Sequence, residues 1–150
     1  MLAKVQKTKV INLKPKLAKI LNFEVKGDHR GSLIPIENGK NIPFDIKRVY
    51  YIYDTKEGVV RGKHAHKNLK QVVICLNGSC KFLLDDGNTK EIVELNDPSK
   101  GLYIEGLIWR EMYDFSPDCV LLVLTDDFYK EEDYIRDYKE FLKIKKETER

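Results

Sequence analysis

Short apolar runs separated by turn dipeptides fill the chain from Ile46 to Leu124, and this rhythm constrains the fold most. Asn77-Gly78 and Asp86-Gly87 are turns of the kind that join antiparallel strands. We therefore predict an all-β barrel or sandwich built from hairpins. The predicted strands lie at Ile20–Val25, Leu33–Ile36, Ile46–Tyr53, Gln71–Leu76, Cys80–Leu84, Glu91–Leu95, Leu102–Glu105, Leu107–Tyr113 and Val120–Thr125.

The pattern changes after Asp126, where Tyr134, Tyr138, Phe141 and Leu142 recur at helical spacing. This predicts one amphipathic helix over residues 131–145. The chain has 150 residues and neither an internal repeat nor a low-complexity linker, so we predict a single domain over residues 1–150.

Composition excludes several classes of protein. Lys and Arg number 27 against 24 Asp and Glu, and no apolar stretch approaches the 18 residues that a membrane-spanning helix needs. The first residues lack the apolar core of a secretory signal. Cys75, Cys80 and Cys119 are odd in number and form no CxxC pair, which disfavours a disulfide framework. We expect a cytoplasmic protein with no membrane partner.

Residues 1–20 contain six lysines and no acidic residue. Such a segment could contact nucleic acid. It lacks closely spaced aromatic residues, however, and apolar residues such as Val5, Val10 and Ile11 are interleaved through it. We favour an edge strand whose lysines block unwanted pairing, and we expect no nucleic-acid partner.

The string Arg61-Gly-Lys-His-Ala-His-Lys67 carries the strongest sign of chemistry. Side chains alternate along a strand, so His64 and His66 share one face. Two histidines on a polar rim could also have no function. Because two of the three histidines of the chain share this face, we favour a functional pair.

Paired histidines in an all-β chain invite comparison with metal-binding cupins. Four residues follow His66, then Gln71, then six residues and Gly78, which matches the first cupin motif in spacing. Gln71, however, stands where those cupins have a glutamate ligand, and Trp109 stands in place of the third histidine. With two of four ligands missing, we expect no catalytic metal, although the histidines could bind one adventitiously.

Without a metal, the histidines become candidates for acid–base catalysis, since an imidazole exchanges protons near neutral pH. Arg48, Tyr50 and Arg61 could stabilise a developing oxyanion if they face the same cavity. Arg48, Tyr50 and Ile52 share one face of their strand. Periodicity alone leaves open whether that face is the interior one.

The chain resembles the dTDP-sugar 3,4-ketoisomerases, which act on dTDP-4-keto-6-deoxyglucose. The resemblance runs from about Val25 to Phe141. It is carried by RGS at residues 30–32, NIPFDIKRVYYIYD at 41–54, RGKHAHK at 61–67, QVVICLNGSC at 71–80, GLYIEGLIWREMYDFS at 101–116, CVLLVL at 119–124 and DYIRDYKEF at 133–141.

This resemblance implies a cupin-type jelly-roll barrel that needs no metal or other cofactor. It implies a homodimer that exchanges N-terminal strands, which would give the lysine-rich segment a partner. The implied reaction moves the sugar ketone from C4 to C3 through an enediolate, on the way to a 3-amino-3,6-dideoxyhexose of surface glycans or natural products. The resemblance leaves the C4 configuration of the product open.

The family's catalytic residues fall on His64, His66 and Tyr50, which would place Tyr50 on the interior face. We interpret His66 as the main base, His64 as the residue that protonates or orients, and Tyr50 as a hydrogen-bond partner of the oxygens at C3 or C4. The expected substrate-binding residues are Arg30, Arg48, Arg61, Gln71 and Trp109, with Arg48 and Arg61 holding the enediolate or the pyrophosphate.

Three other functions fit parts of the pattern. A 3,5-epimerase uses the same α-proton chemistry with a second deprotonation at C5. A non-catalytic binding cupin would not need two neighbouring bases, so His64 and His66 argue against it. Gln71 and Trp109 disfavour a metal-dependent dioxygenase.

Overall fold

The structure, a computed structural model, describes residues 14–149. Strands dominate this part of the chain, and one α-helix lies near its C-terminal end. The strands are β1 (Lys19–Asn22), β2 (Lys26–Asp28), β3 (Gly31–Leu33), β4 (Arg48–Ile52), β5 (Arg61–His66), β6 (Gln71–Asn77), β7 (Cys80–Asp85), β8 (Lys90–Leu95), β9 (Lys100–Ile104), β10 (Trp109–Tyr113), β11 (Val120–Thr125) and β12 (Tyr134–Ile135). A 3₁₀ turn covers Glu131–Asp133, and helix α1 covers Tyr138–Thr148.

Ten of the strands form two five-stranded antiparallel sheets. The first sheet has the order β1-β9-β6-β11-β4 and the second the order β12-β5-β10-β7-β8, while β2 and β3 form a separate hairpin. From β4 to β12, consecutive strands alternate between the two sheets except for the β7–β8 hairpin, as in a jelly roll. The prediction of an all-β, cupin-type barrel with one C-terminal helix is confirmed.

The main core lies between the two sheets. Val73, Leu102 and Val123 face inward from the first sheet, and Phe82 and Leu84 meet them from the second. All five side chains are fully buried. Burying a side chain of this kind stabilises the fold by about 1.5–3 kcal/mol, so this layer holds the barrel together.

The segment between β1 and β4 covers the outer face of the first sheet. Phe23, Ile42 and Phe44 pack there against Val72 and Tyr103. Strand β6 is therefore buried on both faces, which explains why its sequence is a continuous apolar run rather than an alternating one.

Helix α1 covers the outer face of the second sheet through Phe141, which packs against Ala65, Trp109 and Ile135. The predicted helix over residues 131–145 is wrong at both ends, since α1 covers Tyr138–Thr148. Tyr134 and Ile135 pair with β5 instead, which commits them to an extended backbone. Asp137 then caps the helix by accepting a hydrogen bond from the Lys139 amide.

Residues 1–13 of the lysine-rich segment at 1–20 lie outside the described residues. The end of that segment belongs to β1, in which Lys19–Asn22 pair with residues 100–103 of the same chain. Exchange of the N-terminal strands stays a prediction. All three cysteines are free and buried. Within residues 14–149, no helix has the length and apolar character needed to cross a membrane.

Candidate active site

Two imidazole rings meet at the inner face of β5. The Nε2 atoms of His64 and His66 lie 3.1 Å apart, and the ring planes are nearly perpendicular, at 84°. The prediction that both side chains share one strand face is confirmed. At this separation a proton can bridge the two nitrogens.

A β-bulge sets the orientation of His64. The pairing of β5 with β10 shifts by one residue at Lys63, whose φ is +54°, and Gly62 before it has a φ of +83°. A side chain at Gly62 would also lie 3.1 Å from the Arg110 carbonyl oxygen, so glycine is needed there on both counts. The bulge aims the Gly62 carbonyl oxygen at His64 Nδ1, at 3.0 Å.

The second imidazole is held by a carboxylate distant in sequence. His66 Nδ1 lies 2.9 Å from Oδ2 of Asp133, in the 3₁₀ turn. The other carboxylate oxygen of Asp133 accepts a hydrogen bond from the Asn68 amide at 2.8 Å, and its carbonyl accepts one from the Lys67 amide. Asp133 is thereby fixed from two sides.

A buried guanidinium stands behind the histidine pair. Arg110 is 2 % exposed, and it donates hydrogen bonds to the Gln71 side-chain oxygen and the Ile108 carbonyl. Burial, and secondly the charge of Arg110, lower the pKa of His64 to about 4, and the same two causes lower the pKa of His66. Both imidazoles are therefore neutral at pH 7 and can accept a proton.

Tyr50 supplies a hydroxyl group at the same place. Burial raises the pKa of Tyr50, an effect that the nearby Arg48, Arg110 and Gln71 oppose. The phenol stays protonated at neutral pH and remains a hydrogen-bond donor. Two neutral imidazoles that can accept a proton and one neutral phenol that can donate a hydrogen bond are thus present together.

An open cavity of about 590 Å³ lies above these groups. Its lining includes the predicted residues Arg48, Tyr50, Arg61 and His64. His66 is 2 % exposed and lies beneath His64. The Arg48–Tyr50–Ile52 face of β4 is turned inward, while Val49, Tyr51 and Tyr53 are exposed. The structure therefore joins the predicted acid–base residues to two predicted arginines.

Three predicted binding residues lie elsewhere. Arg30 is exposed in the turn between β2 and β3, where it forms an ion pair with Asp28. Gln71 is buried under the cavity, beside Arg110. The expectation that Trp109 lines the cavity is wrong: its ring packs against Tyr138 and Phe141 of α1, because alternation along β10 turns it to the outer face of the sheet.

Sequence reasoning missed four residues of the site: Arg110, Asp133, Tyr134 and Arg136. The Tyr134 ring packs against both imidazoles, with centroids 4.9 Å from His64 and 4.4 Å from His66. The Arg136 guanidinium lies over that ring and borders the cavity. Arg110 could have been predicted, because it follows Trp109 on the strand and its side chain must therefore point to the opposite face of the sheet. No local pattern in the sequence marks Asp133.

The cupin fold raises the question of a metal, and the donor set does not fit one. The Gln71 oxygen at the glutamate position is already an acceptor for Arg110, and Trp109 is turned away. The charge of Arg110 would also repel a cation at the imidazoles. No cluster of three or more His, Cys, Asp or Glu side chains suited to a metal occurs within residues 14–149.

The chain matches a known sequence family and a characterised enzyme. Residues 16–146 match the family described as FdtA, WxcM-like, C-terminal. Over 125 residues the chain is 57 % identical to the TDP-4-oxo-6-deoxy-α-D-glucose-3,4-oxoisomerase of Aneurinibacillus thermoaerophilus, covering 83 % of this chain and 90 % of the relative.

Solved structures give the same result. A 3,4-ketoisomerase from Helicobacter canadensis is 56 % identical, with a TM-score of 0.84 over 86 % of this chain and 97 % of that one. A mutant 3,4-ketoisomerase from Thermoanaerobacterium thermosaccharolyticum, in complex with TDP-4-keto-6-deoxyglucose, is 49 % identical, with a TM-score of 0.86 over 89 % and 96 % of the two chains. A 3′-monoepimerase from Streptomyces bikiniensis shares the fold at 17 % identity, with a TM-score of 0.69 over 83 % and 71 %.

Proposed function

The chain belongs to the family of sugar 3,4-ketoisomerases, and we propose that it moves the ketone of dTDP-4-keto-6-deoxyglucose from C4 to C3 by metal-independent proton transfer. The observation that carries this proposal is the facing pair of neutral imidazoles, His64 and His66, beside a protonated Tyr50 at one cavity. The relative from Aneurinibacillus thermoaerophilus is named as an oxoisomerase of this sugar, and the mutant enzyme from Thermoanaerobacterium thermosaccharolyticum is in complex with this sugar nucleotide.

The reaction needs one carbon-bound proton removed and one returned. A base takes the C3 proton, the electron pair of that bond forms the C3=C4 double bond, and the former C4 carbonyl oxygen becomes anionic. The proton of the C3 hydroxyl passes to that oxygen, the C3 ketone forms, and C4 takes a proton from the base. Neither charge nor atoms change overall, so the protein needs only groups that hold and return protons.

We assign His66 as the main base. Its Nδ1 faces the Asp133 carboxylate, which makes the opposite nitrogen more basic, whereas Nδ1 of His64 faces only a neutral carbonyl. His64 lines the cavity and touches the Nε2 atom of His66, so it orients the pair, passes the C3 proton on to His66 and helps to return it. General acid–base catalysis of this kind contributes about 10²–10⁴ in rate.

Tyr50 and two arginines stabilise the charge. Tyr50 donates a hydrogen bond to the oxygen that becomes anionic. Arg48 lies 5.4 Å from the Tyr50 ring and borders the same cavity as Arg61. We propose that these guanidinium groups hold the enediolate and the pyrophosphate, for which their paired donors are suited.

A trapping experiment tests the assigned reaction. The chain is incubated with dTDP-4-keto-6-deoxyglucose, the mixture is reduced with sodium borodeuteride, and NMR spectroscopy locates the deuterium. We expect deuterium at C3 in part of the sugar, since reduction labels the carbon that held the ketone. Deuterium confined to C4 would overturn the proposal, and so would epimerisation at C5 without any label at C3.

We further propose a homodimer, which the family resemblance implies. Strand β4 is at the edge of the first sheet, and Val49, Tyr51 and Tyr53 expose more than half of their surface on its outer face. Exposed apolar side chains along an edge strand are suited to a second copy. Sedimentation of Tyr51→Lys should show monomer, while Leu76→Lys, at another exposed apolar site, should stay dimeric. Monomeric wild type would contradict this.

We also propose that the enzyme works in the cytoplasm. Cys75, Cys80 and Cys119 are all free thiols, a state that a reducing compartment maintains. Cell fractionation with an immunoblot tests this: we expect the chain in the fraction of a cytoplasmic marker enzyme, and recovery with a marker of an exported protein would contradict the proposal.

A further inference from the structure

The hydrogen-bond chain through the two imidazoles carries more contacts than a neutral pair has protons. The Gly62 carbonyl oxygen contacts His64 Nδ1, the two Nε2 atoms contact each other, and His66 Nδ1 contacts the Asp133 carboxylate. Both outer partners are acceptors, so three ring protons would satisfy all three contacts. Two neutral imidazoles carry only two.

The strengths of the two outer acceptors decide where those protons reside. The carboxylate of Asp133 is charged, and a hydrogen bond to a charged acceptor is roughly twice as strong as one to the neutral Gly62 carbonyl. His66 therefore keeps its proton on Nδ1, and its Nε2 carries a lone pair. The proton of His64 is left to move between Nδ1 and Nε2.

We propose that Asp133 is a positioning residue that fixes the Nδ1–H tautomer of His66 and so keeps Nε2 of His66 free to accept a proton. This inference rests on the proposed ketoisomerase function for its catalytic meaning. It concerns a residue that lies 67 positions from His66 and is not itself part of the cavity lining. The carboxylate acts only through the imidazole.

The setting of Asp133 suits this role. The carboxylate side chain is 15 % exposed, and it is held by the Asn68 amide on one oxygen while the other faces His66. Pairing of Tyr134 with His66 fixes the next residue of the chain against the same strand. The imidazole cannot turn away without breaking these contacts, so the acceptor stays aligned with Nδ1.

The variant Asp133→Asn separates this role from a purely structural one. An asparagine can still accept from the Asn68 amide through its oxygen, but it then presents an NH₂ group to His66. His66 Nδ1 must become an acceptor, which moves its proton to Nε2 and removes the lone pair. The shape of the site stays the same.

The primary measurement is ¹⁵N NMR spectroscopy of the imidazoles, taken above the ordinary histidine pKa. The chain has three histidines, and loss of one set of signals in His66→Asn assigns His66. We expect a protonated Nδ1 and an unprotonated Nε2 in the wild type, and the reverse in Asp133→Asn. A protonated Nε2 in the wild type would overturn the proposal even if the variant fails to fold.

Kinetics supply the second measurement. Asp133→Asn should lower kcat about 10²–10⁴-fold, as expected for a base held in the wrong tautomer, while KM changes little. The control is Asp85→Asn, since Asp85 is a buried carboxylate that accepts hydrogen bonds from the Tyr138 hydroxyl and the Gly87 amide and has no contact with the histidines. Asp85→Asn should lower the free energy of unfolding and leave the His66 tautomer and kcat unchanged.

The two measurements distinguish the possible failures. If the sugar nucleotide is not isomerised by the wild type, the proposed function fails, but the tautomer of His66 still tests Asp133. If the wild type is active and Asp133→Asn keeps kcat within about threefold with an unchanged tautomer, the positioning role is wrong.

Discussion

Nε2 of His64 and Nε2 of His66 lie 3.1 Å apart, so the two residues form one proton-accepting unit rather than two independent bases. Protonation of one nitrogen changes the proton affinity of the other. Single substitutions in the pair should therefore have effects that do not add.

The variant His66→Asn should abolish turnover and leave nucleotide binding nearly intact. Its imidazole lies under the cavity rather than in its lining, so the site keeps its shape when the base is lost. We expect kcat to fall at least about 10²-fold. Progress curves by NMR spectroscopy give kcat, and calorimetric titration with TDP gives the binding constant.

The double variant His64→Asn/His66→Asn checks the coupling. Its loss in kcat should equal roughly that of His66→Asn alone. An equal loss of binding and turnover in His66→Asn would instead make His66 a folding or substrate-holding residue.

Removal of divalent metal should leave activity unchanged. Arg110 donates to the Gln71 oxygen at the former glutamate position, so a guanidinium charge stands near where such a metal would lie. The measurement compares kcat before and after dialysis against EDTA, with protein purified without a histidine tag. Activity that is lost on dialysis and restored by one added metal would contradict the metal-independent mechanism.

The stability of the fold should decline in acid partly because of His64. Its pKa falls from an ordinary value near ~6.5 to about 4, so below pH ~6.5 the unfolded chain binds a proton that the folded chain does not. The stabilisation is complete above pH ~6.5 and is lost as the pH falls towards 4, by about 3 kcal/mol at most.

Urea unfolding of the wild type and His64→Asn between pH 7.5 and 4.5 measures this difference. The variant should lose less stability across that window, because it lacks the group that titrates there. Parallel curves for the two proteins would show that the His64 pKa is not lowered by folding.

Phe141 should anchor the helix. Its side chain is fully buried against Trp109 and the outer face of the second sheet. Phe141→Ala should lower the free energy of unfolding by about 3–5 kcal/mol, whereas Lys143→Ala, on the exposed face of α1, should change it by less than about 0.5 kcal/mol. Thermal unfolding followed by circular dichroism measures both. Equal effects would mean that α1 is not docked as described.

Local patterns in the sequence predicted most strands of the fold and the histidine pair of the site. Turn dipeptides and apolar runs identify the strands because both signals are local. The shared face of His64 and His66 follows from the two-residue period of a strand. The inward orientation of Tyr50 came from family resemblance, since alternation alone does not distinguish the two faces of β4.

The remaining parts of the site depend on contacts between distant segments. Asp133 reaches His66 because β12 pairs with β5, and that same pairing makes the helix begin at Tyr138 rather than at the predicted residue 131. Arg110, and not Trp109, faces the histidines. The motif spacing pointed to Trp109 because spacing alone does not determine which face of β10 is interior. Such contacts leave no periodic signal in one sequence.

Isotope exchange follows the proton transfer between C3 and C4 directly. The wild type is incubated with dTDP-4-keto-6-deoxyglucose in D₂O, and proton NMR spectra follow C3, C4 and C5. We expect loss of the C3 proton signal, deuterium at C4, a new 3-keto species and an intact C5 proton. Exchange at both C3 and C5, or the absence of any 3-keto species, would contradict proton transfer between C3 and C4 by the histidine pair.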